Sequence, residues 1–319
     1  MTTSWVAGTV RAKTLARRRL GASGARTLAT SPGLPDALAS LGATPYAHDL
    51  GGGQTLAEVE HGVGATLLWH LRVLAGWLPA EGADVIRLLA RGFEVANVDE
   101  HLQALRAQPA EPAYRLGALS TCWSRLAVTT SVVDLRRVLS TSPWGDPGRA
   151  EPWAVHVGMC LAWADRLVFR VPEAAAWARA AACLLVLRTT MLEGRRLPDP
   201  LAARASYVLG AAFMDAASGG SANLAGLAAR LPAGARWALD GVAQPQDLWR
   251  AESNWWHRVE RDGFGLLRRP SYDRSPVVGA VAVLAVDAWR VRAALEAAAR
   301  GGAAETGTLS VMEAFDGVA

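Results

Sequence analysis

The strongest constraint on the fold is a phrase of eleven residues that occurs twice in the chain. The first copy runs from Asp36 to Tyr46 and the second from Asp134 to Trp144. An Asp, a Leu five residues later, a Thr or Ser, a Pro and an aromatic residue recur at one constant separation of 98 residues. Self-similarity at a fixed spacing indicates that one supersecondary unit is used more than once.

A third, degraded copy of the phrase begins at Asp247 and ends at Trp256. It lacks the proline, and its aromatic residue comes one position early. Proline-rich interruptions separate the three copies. We therefore predict three helical repeat units, at residues 1–108, 109–198 and 199–319.

The spacing of apolar residues predicts helix throughout these units, and the abundant Ala, Leu and Arg all favour it. Thr55-Leu-Ala-Glu58 is typical of a capping box, in which Thr55 and Glu58 bond reciprocally at the start of a helix. A loop is expected at 21–24. Long helices are expected at 55–78, 83–108, 151–169, 172–192, 247–262 and 277–300. The predicted fold class is all-α.

Composition argues against several classes of function. The formal net charge is only +4 over 319 residues, and the arginines are scattered among acidic residues except near the N-terminus. We therefore expect no nucleic-acid partner. Cys122, Cys160 and Cys183 are widely spaced in apolar segments, which is typical of buried, reduced cysteines in the cytoplasm. The longest apolar run, 276–286, is too short to cross a bilayer, so a soluble protein is expected.

The sequence contains no reactive cluster of a familiar kind. The six histidines form no i,i+4 pair, and we expect each to lie at the surface or in a capping position. The glycine-rich segments lack the Lys-Ser/Thr of a phosphate-binding loop, and neither a Gly-x-Ser-x-Gly nor an Asp-rich magnesium motif is present. We therefore expect no catalytic residue, no cofactor and no bound metal.

Five short segments follow one another in a familiar order: Val10-Arg11-Ala12 with Leu20, residues 34–50 with Thr44 and Tyr46 in place, residues 92–98 with Asn97, residues 291–301, and residues 307–310. Together they resemble the C subunit of archaeal and bacterial V/A-type ATPases, also called the d or AC39 subunit. The chain departs from that pattern in several places. Glu94 stands where the family usually has Asp, Gln103 stands where a basic residue is common, and the closing helix lacks its Asn and Lys.

The resemblance implies a funnel of three pseudo-repeated helical units that sits on the membrane proteolipid ring and accepts the foot of the central stalk. It implies a mechanical function, that of a non-catalytic central-rotor adaptor that couples stalk to ring during proton or sodium transport. The protein would then be a peripheral subunit on the cytoplasmic face of the membrane, soluble when isolated. Ion and nucleotide chemistry would lie on other chains.

Two surfaces are predicted to contact partners. Arg17 and Arg18 form the positive end of the first helix, and Trp255 and Trp256 are adjacent aromatic residues of a type enriched at interfaces. The leading alternative function is a free-standing α-helical repeat scaffold that binds another protein. An all-helical enzyme is a third reading, which requires a deep pocket lined by perturbed acidic or basic residues.

Overall fold

The computed structural model describes residues 3–219 and 223–301, so the segment 307–310 of the family resemblance lies outside the described residues. Within the described residues the regular structure is helical and no strand occurs. The predicted all-α fold class is confirmed. The α-helices in these residues are α1 (Thr3–Arg17), α2 (Gly21–Ala29), α3 (Leu34–Leu41), α4 (Leu56–Ala75), α5 (Ala80–Leu89), α6 (Gly92–Leu105), α7 (Trp123–Leu126), α8 (Val132–Ser140), α9 (Pro152–Arg170), α10 (Ala175–Leu187), α11 (Asp199–Leu209), α12 (Ala211–Ser218), α13 (Leu224–Arg230), α14 (Leu248–Leu267) and α15 (Arg274–Ala299).

The described residues divide into two compact units, each made of segments that are distant in sequence. Unit 1 comprises the described parts of Met1–Ile86, Arg115–Gly117 and His257–Ala319. Unit 2 comprises those of Arg87–Tyr114 and Ala118–Trp256. In sequence, unit 2 therefore falls between the two main segments of unit 1. The three repeat units defined by the phrase have other boundaries and stay a prediction.

Helix α15 forms the centre of unit 1. It packs against α1, α2, α3 and α4 and buries side chains on every face, as expected for a helix that is apolar all round. Glycine permits a close approach of α15 to α14. A Cβ on Gly279 would lie 2.6 Å from the carbonyl oxygen of Gly263 and 2.9 Å from the Cβ of Leu266.

Helix α9 forms the centre of unit 2, where it packs against α6, α10 and α11. Its first residue, Pro152, has no backbone N–H to leave unpaired, which suits the first turn of a helix. The buried side chains of Val155 and Met159 on α9 share one apolar core with Val98 and Leu102 on α6. This core holds the two helices together.

In unit 1 the first phrase ends on a buried tyrosine that is fixed by a distant carboxylate. The Tyr46 hydroxyl donates to Oδ2 of the buried Asp287 at 2.9 Å. Asp287 also accepts hydrogen bonds from the backbone N–H groups of Leu20 and Gly21, at 3.0 and 2.7 Å. These N–H groups begin α2, so Asp287 on α15 caps that helix with a negative charge, which its dipole favours.

In unit 2 the second phrase ends on a buried tryptophan in a matching arrangement. Trp144 Nε1 donates to Oε1 of the buried Glu94 at 3.0 Å. Glu94 also accepts hydrogen bonds from the backbone N–H groups of Thr121 and Cys122, at 2.5 and 2.9 Å. These groups precede α7, so Glu94 on α6 caps α7. We call each set of one carboxylate, one aromatic side chain and two backbone N–H groups a carboxylate node.

The Thr or Ser of the phrase explains how both aromatic residues reach their nodes. Thr44 donates to the carbonyl of Leu41 at 2.7 Å and accepts from the N–H of Tyr46 at 3.3 Å. Ser142 makes the same pair, to the carbonyl three residues earlier at 2.8 Å and from the N–H two residues later at 3.1 Å. Such local bonds favour a turn over continued helix. Each phrase therefore leaves its helix and directs its aromatic side chain inward.

The third phrase has a different structure. Asp247 ends a short 3₁₀ segment, and Trp255 and Trp256 lie within the continuous helix α14. The Thr-Pro or Ser-Pro pair that ends the helix in the other two phrases is missing here, so the chain stays helical through this segment. The indole of Trp255 there donates to a backbone carbonyl, that of Trp177, in place of a carboxylate.

One predicted helix start is confirmed and one predicted loop is wrong. At the start of α4 the N–H of Thr55 donates to Glu58 Oε2 at 2.7 Å, and the N–H of Glu58 donates to Thr55 Oγ1 at 3.3 Å. This is the capping box that the sequence indicates. Residues 21–24, expected as a loop, instead form the first turn of α2. The cap that supports this turn is Asp287, which no local pattern reveals.

The helix expected at 83–108 is divided into α5 and α6. Trp163 of α9 donates from Nε1 to the carbonyl of Leu88 at 2.7 Å, which takes an acceptor that a continuous helix would use. The same indole ring lies 2.8 Å from the position that a Cβ on Gly92 would occupy. Gly92 therefore lets the tryptophan enter at the break between the two helices.

Candidate functional site

The two arginines predicted for an interface lie at the end of α1 in unit 1. Arg17 and Arg18 are both exposed, so a partner could reach them, and their interface role stays a prediction. Near Arg18 lies His70, which is buried. Burial, followed by the charges of Arg11 and Arg18, lowers the pKa of His70 to about 4. The expectation that each histidine lies at the surface or in a cap is therefore wrong for this neutral imidazole.

The two tryptophans predicted for an interface belong to unit 2. The rings of Trp255 and Trp256 meet edge to face, with centroids 4.8 Å apart and planes at 82°. Trp255 Nε1 donates to the carbonyl of Trp177 at 2.9 Å, which anchors one ring to α10. Both side chains remain half-buried. An indole fixed at its polar end and partly exposed along its apolar edge is suited to contact another molecule.

These tryptophans line a cleft of about 540 Å³ within unit 2. Its walls come from α9, from the end of α10 with the segment that follows it, and from α14. We call it the tryptophan cleft and define it by Trp153, Trp255, Trp256, Arg188 and Glu252. Trp153 also lines two shallower depressions, of about 720 and 230 Å³, so it separates three hollows of one surface.

The charges in the tryptophan cleft pair with one another. Arg188 Nη1 donates to Glu252 Oε1 at 3.3 Å, and its Nε lies 3.8 Å from Glu193 Oε1. The guanidinium of Arg195 lies over the ring of Trp153 at 5.1 Å, a cation–π contact. The cleft therefore presents apolar ring edges bordered by satisfied ion pairs, and it resembles a protein contact surface more than a pocket for a charged substrate.

A π-helical turn shapes one wall of the cleft. Helix α10 passes at Leu187 into the π-helical segment Arg188–Leu192. Thr190 Oγ1 donates to the carbonyl of Val186 at 2.8 Å, a bond that loosens a regular helix. Such turns occur frequently at functional sites, and this one directs Arg188 toward the cleft.

Three side chains with familiar chemistry meet at the edge of the cleft. His156 Nδ1 lies 2.8 Å from Asp99 Oδ2, and its Nε2 lies 3.6 Å from the Sγ of Cys160. The hydrogen bond with Asp99, followed by the contact with Cys160, raises the pKa of His156 to about 11. This shift favours the protonated imidazole at neutral pH, paired with the Asp99 carboxylate. The arrangement works as an ion pair that joins α6 to α9.

The structure corrects the expected setting of one cysteine. Cys122 and Cys183 are buried as expected, whereas Cys160 is half-buried and contacts His156. The four-residue separation of His156 and Cys160 on one helix is visible in the sequence. The decisive partner, Asp99, is 57 residues away, and the sequence offers no signal that brings it there.

Sequence reasoning found only part of the tryptophan cleft. Trp255 and Trp256 were identified by their adjacency, but Trp153, Arg188 and Glu252 were missed. Trp153 follows the proline that begins α9, and a tryptophan in the first turn of a helix can stay partly exposed. This position is the sequence feature that indicates a surface role for Trp153. Arg17 and Arg18 belong to the other unit.

The chain is thus an all-helical protein with an aromatic cleft in one of its units. A scan against protein-family models finds no match for it, and a search of curated proteins finds no significant match. Among the described residues, no group of three or more His, Cys, Asp or Glu side chains could hold a metal ion. Within the same residues, one helical stretch, Pro172–Leu192, is long and apolar enough to cross a membrane, and half of its apolar window is buried inside the protein. A core helix has the same composition.

Proposed function

We propose that this protein is a non-catalytic adaptor of a V/A-type rotary ATPase, which couples the central stalk to the membrane proteolipid ring during ion transport. In this proposal three pseudo-repeated helical units form a funnel that holds the foot of the stalk. The protein is a peripheral subunit on the cytoplasmic face of the membrane. Nucleotide and ion chemistry take place on other chains.

The observation that carries the proposal is the structural role of residues 92–98, the segment that resembles the family at Asn97. Asn97 Oδ1 accepts from the N–H of Tyr114 at 2.6 Å, and its Nδ2 donates to the carbonyl of the same residue at 3.0 Å. Glu94, three residues earlier, caps α7 and binds Trp144. Asn97, the polar residue that matches the family, therefore fixes the chain path, and Glu94, which stands where the family usually has Asp, also holds buried structure. A resemblance at such positions supports a shared fold more strongly than one at surface positions would.

The two carboxylate nodes support the repeated-unit part of the proposal. In each unit the helix that carries the node carboxylate buries the residues one, four and eight positions after it. These residues are Ala288, Val291 and Leu295 after Asp287, and Val95, Val98 and Leu102 after Glu94. The same arrangement therefore occurs twice: the aromatic residue of a phrase donates to a carboxylate on a helix, and that helix buries residues at the same three offsets. This favours duplication of a helical unit.

Purification of the full-length tagged protein from its native cells in mild detergent, followed by mass spectrometry, tests this function. We expect a proteolipid, stalk subunits and P-loop catalytic subunits to co-purify in fixed ratios. The Arg17→Glu/Arg18→Glu variant is expected to lose these subunits if the end of α1 is an interface. Arg137→Glu, an exposed charge reversal in unit 2, is the matched control and should retain them. Recovery of soluble partners alone, or of none, would refute the ATPase role.

The tryptophan cleft favours a second candidate, a free-standing helical scaffold that binds another protein. Half-buried tryptophans bordered by arginines are typical of the residues that dominate protein interfaces. Under this reading a soluble partner co-purifies without detergent, and the Trp255→Ala/Trp256→Ala variant loses it. Tyr207→Ala, at an exposed aromatic outside the cleft, should retain it. The presence of proteolipid in the purified complex would decide against the scaffold.

A further inference from the structure

Arg91, just before α6 in unit 2, is almost entirely buried and incompletely paired. Only 6% of the residue is exposed, and its Nε and Nη1 atoms have no hydrogen-bond partner within the described residues. Its guanidinium lies 5.1 Å from the centre of the Trp144 ring. That cation–π contact offsets part of the charge, but it supplies no acceptor oxygen for the N–H groups. A buried cation with unsatisfied donors is unfavourable and needs an explanation.

Two further arginines reach the same turn of the chain from other helices. Arg166 of α9, which is exposed, has its Nη2 3.5 Å from the carbonyl oxygen of Pro143. Arg204 of α11 donates from Nη1 to the carbonyl of Trp144 at 2.8 Å. The Nη2 of Arg204 lies 2.5 Å from where a Cβ on Gly145 would be, and Gly145 has a φ of +79°. Only glycine lets the turn approach that guanidinium so closely.

The guanidinium of Arg166 repels those of Arg91 and Arg204. Burial lowers the pKa of both Arg91 and Arg204, and the nearby charge of Arg166 lowers each of them further. The nearby carboxylates compensate only in part. Glu94 is already engaged by three donors in its node, and Asp165 acts on Arg204. The turn therefore carries more guanidinium charge than carboxylate charge.

We propose that Arg91, Arg166 and Arg204 form a binding site for an oxyanion of the phosphate or sulfate type, beside the turn at Pro143 and Trp144 that each of them contacts. A tetrahedral dianion carries two negative charges and several acceptor oxygens, which matches a surplus of guanidinium groups better than a singly charged ion does. Arginine binds such groups through paired, charge-assisted hydrogen bonds. The exposed Arg166 gives the ion a route from solvent. This site does not rest on the proposed ATPase function.

Titration calorimetry of the full-length protein with inorganic phosphate in low-salt buffer tests the site. We expect saturable binding of one ion per chain, with sulfate competing for it. Arg91→Met and Arg166→Met should each weaken binding at least tenfold. Without the ion, Arg91→Met should be as thermally stable as the wild type or more so, because it replaces an incompletely paired buried charge with an apolar side chain. Arg91→Met therefore tests for the loss of phosphate binding in a protein that is expected to stay folded.

Arg149→Met is the matched control, because Arg149 is an exposed arginine of the same unit that pairs with Glu151. It should bind phosphate as the wild type does. Three results would overturn the proposal: no binding beyond that of chloride at equal ionic strength, equal loss in the Arg149 control, or full binding by Arg91→Met. Acetate binding as tightly as phosphate would also overturn it, because the site would then select a single carboxylate and not a dianion.

Discussion

Removal of one oxygen atom, in Tyr46→Phe, tests whether the carboxylate node holds unit 1 together. The Tyr46 hydroxyl donates to Asp287 at 2.9 Å in a buried setting, and hydrogen bonds to charged groups contribute roughly 1.5–3 kcal/mol net. Loss of the oxygen leaves little cavity, and Asp287 keeps its two backbone donors from Leu20 and Gly21. We therefore expect a loss of about 2 kcal/mol in local stability.

Native-state hydrogen exchange of the Leu20 and Gly21 amides measures this loss where it occurs. A single global free energy of unfolding is a poor measure here, because two compact units need not unfold together. We expect the exchange of these two amides to accelerate by about 30-fold in Tyr46→Phe, which corresponds to about 2 kcal/mol at ~1.4 kcal/mol per factor of ten.

A double-mutant cycle and a control separate the node from general effects. In the Asp287→Asn background, Tyr46→Phe should cost at least about 1 kcal/mol less, because the charge that strengthened the bond is gone. Tyr272→Phe makes the same chemical change at a residue of unit 1 that is 51% exposed, and it should stay within about 0.5 kcal/mol of the wild type. The reasoning is refuted if Tyr46→Phe stays within that range, or costs the same in both backgrounds.

Three further perturbations follow from the structure. Burial raises the pKa of Asp287, so the folded state holds this proton more tightly than the unfolded state. Stability from this group should therefore fall as pH rises from about 4 through the raised value, and the local stability reported by the Leu20 and Gly21 amides should lack that component in Asp287→Asn. His156, with a pKa of about 11, should keep its NMR-detected proton at pH 9, and Asp99→Asn should return its titration toward about 6.5. The stability from this pair should be fully present below about pH 6.5 and should decrease as pH rises from there through about 11. Gly279→Ala should lower the melting temperature, since its Cβ would meet backbone atoms of α14, whereas Gly265→Ala, with open space around it, should leave it unchanged or raise it.

Local signals in the sequence predicted local structure well. The capping box at Thr55 and Glu58 acts within one helical turn, so four residues were enough to identify it. The repeated phrase also correctly marked two places where a helix ends in a turn. Its Thr or Ser bonds within three residues, which is why the sequence carries the signal.

Features that depend on distant partners were not predictable in this way. Asp287 caps α2 across 266 residues, and Trp163 divides the expected helix at 83–108 from 75 residues away. In both cases a side chain from another helix decides the local backbone, and propensity is overridden. The tryptophan cleft was only half predicted for the same reason, since its walls come from separate helices. The arginine site was missed because its three members are unremarkable one by one.

The two-segment construction of unit 1 sets the order in which the protein can fold as it is synthesised. All of unit 2 precedes residue 257, so its core can close before α15 exists. The N-terminal helices of unit 1 cannot complete the burial of their apolar faces until α15 is made, about 200 residues after Ile86. At roughly 5–20 residues per second this delay is about 10–40 s. During that interval α2 lacks the cap that Asp287 supplies, and the apolar faces of the N-terminal helices stay incompletely buried.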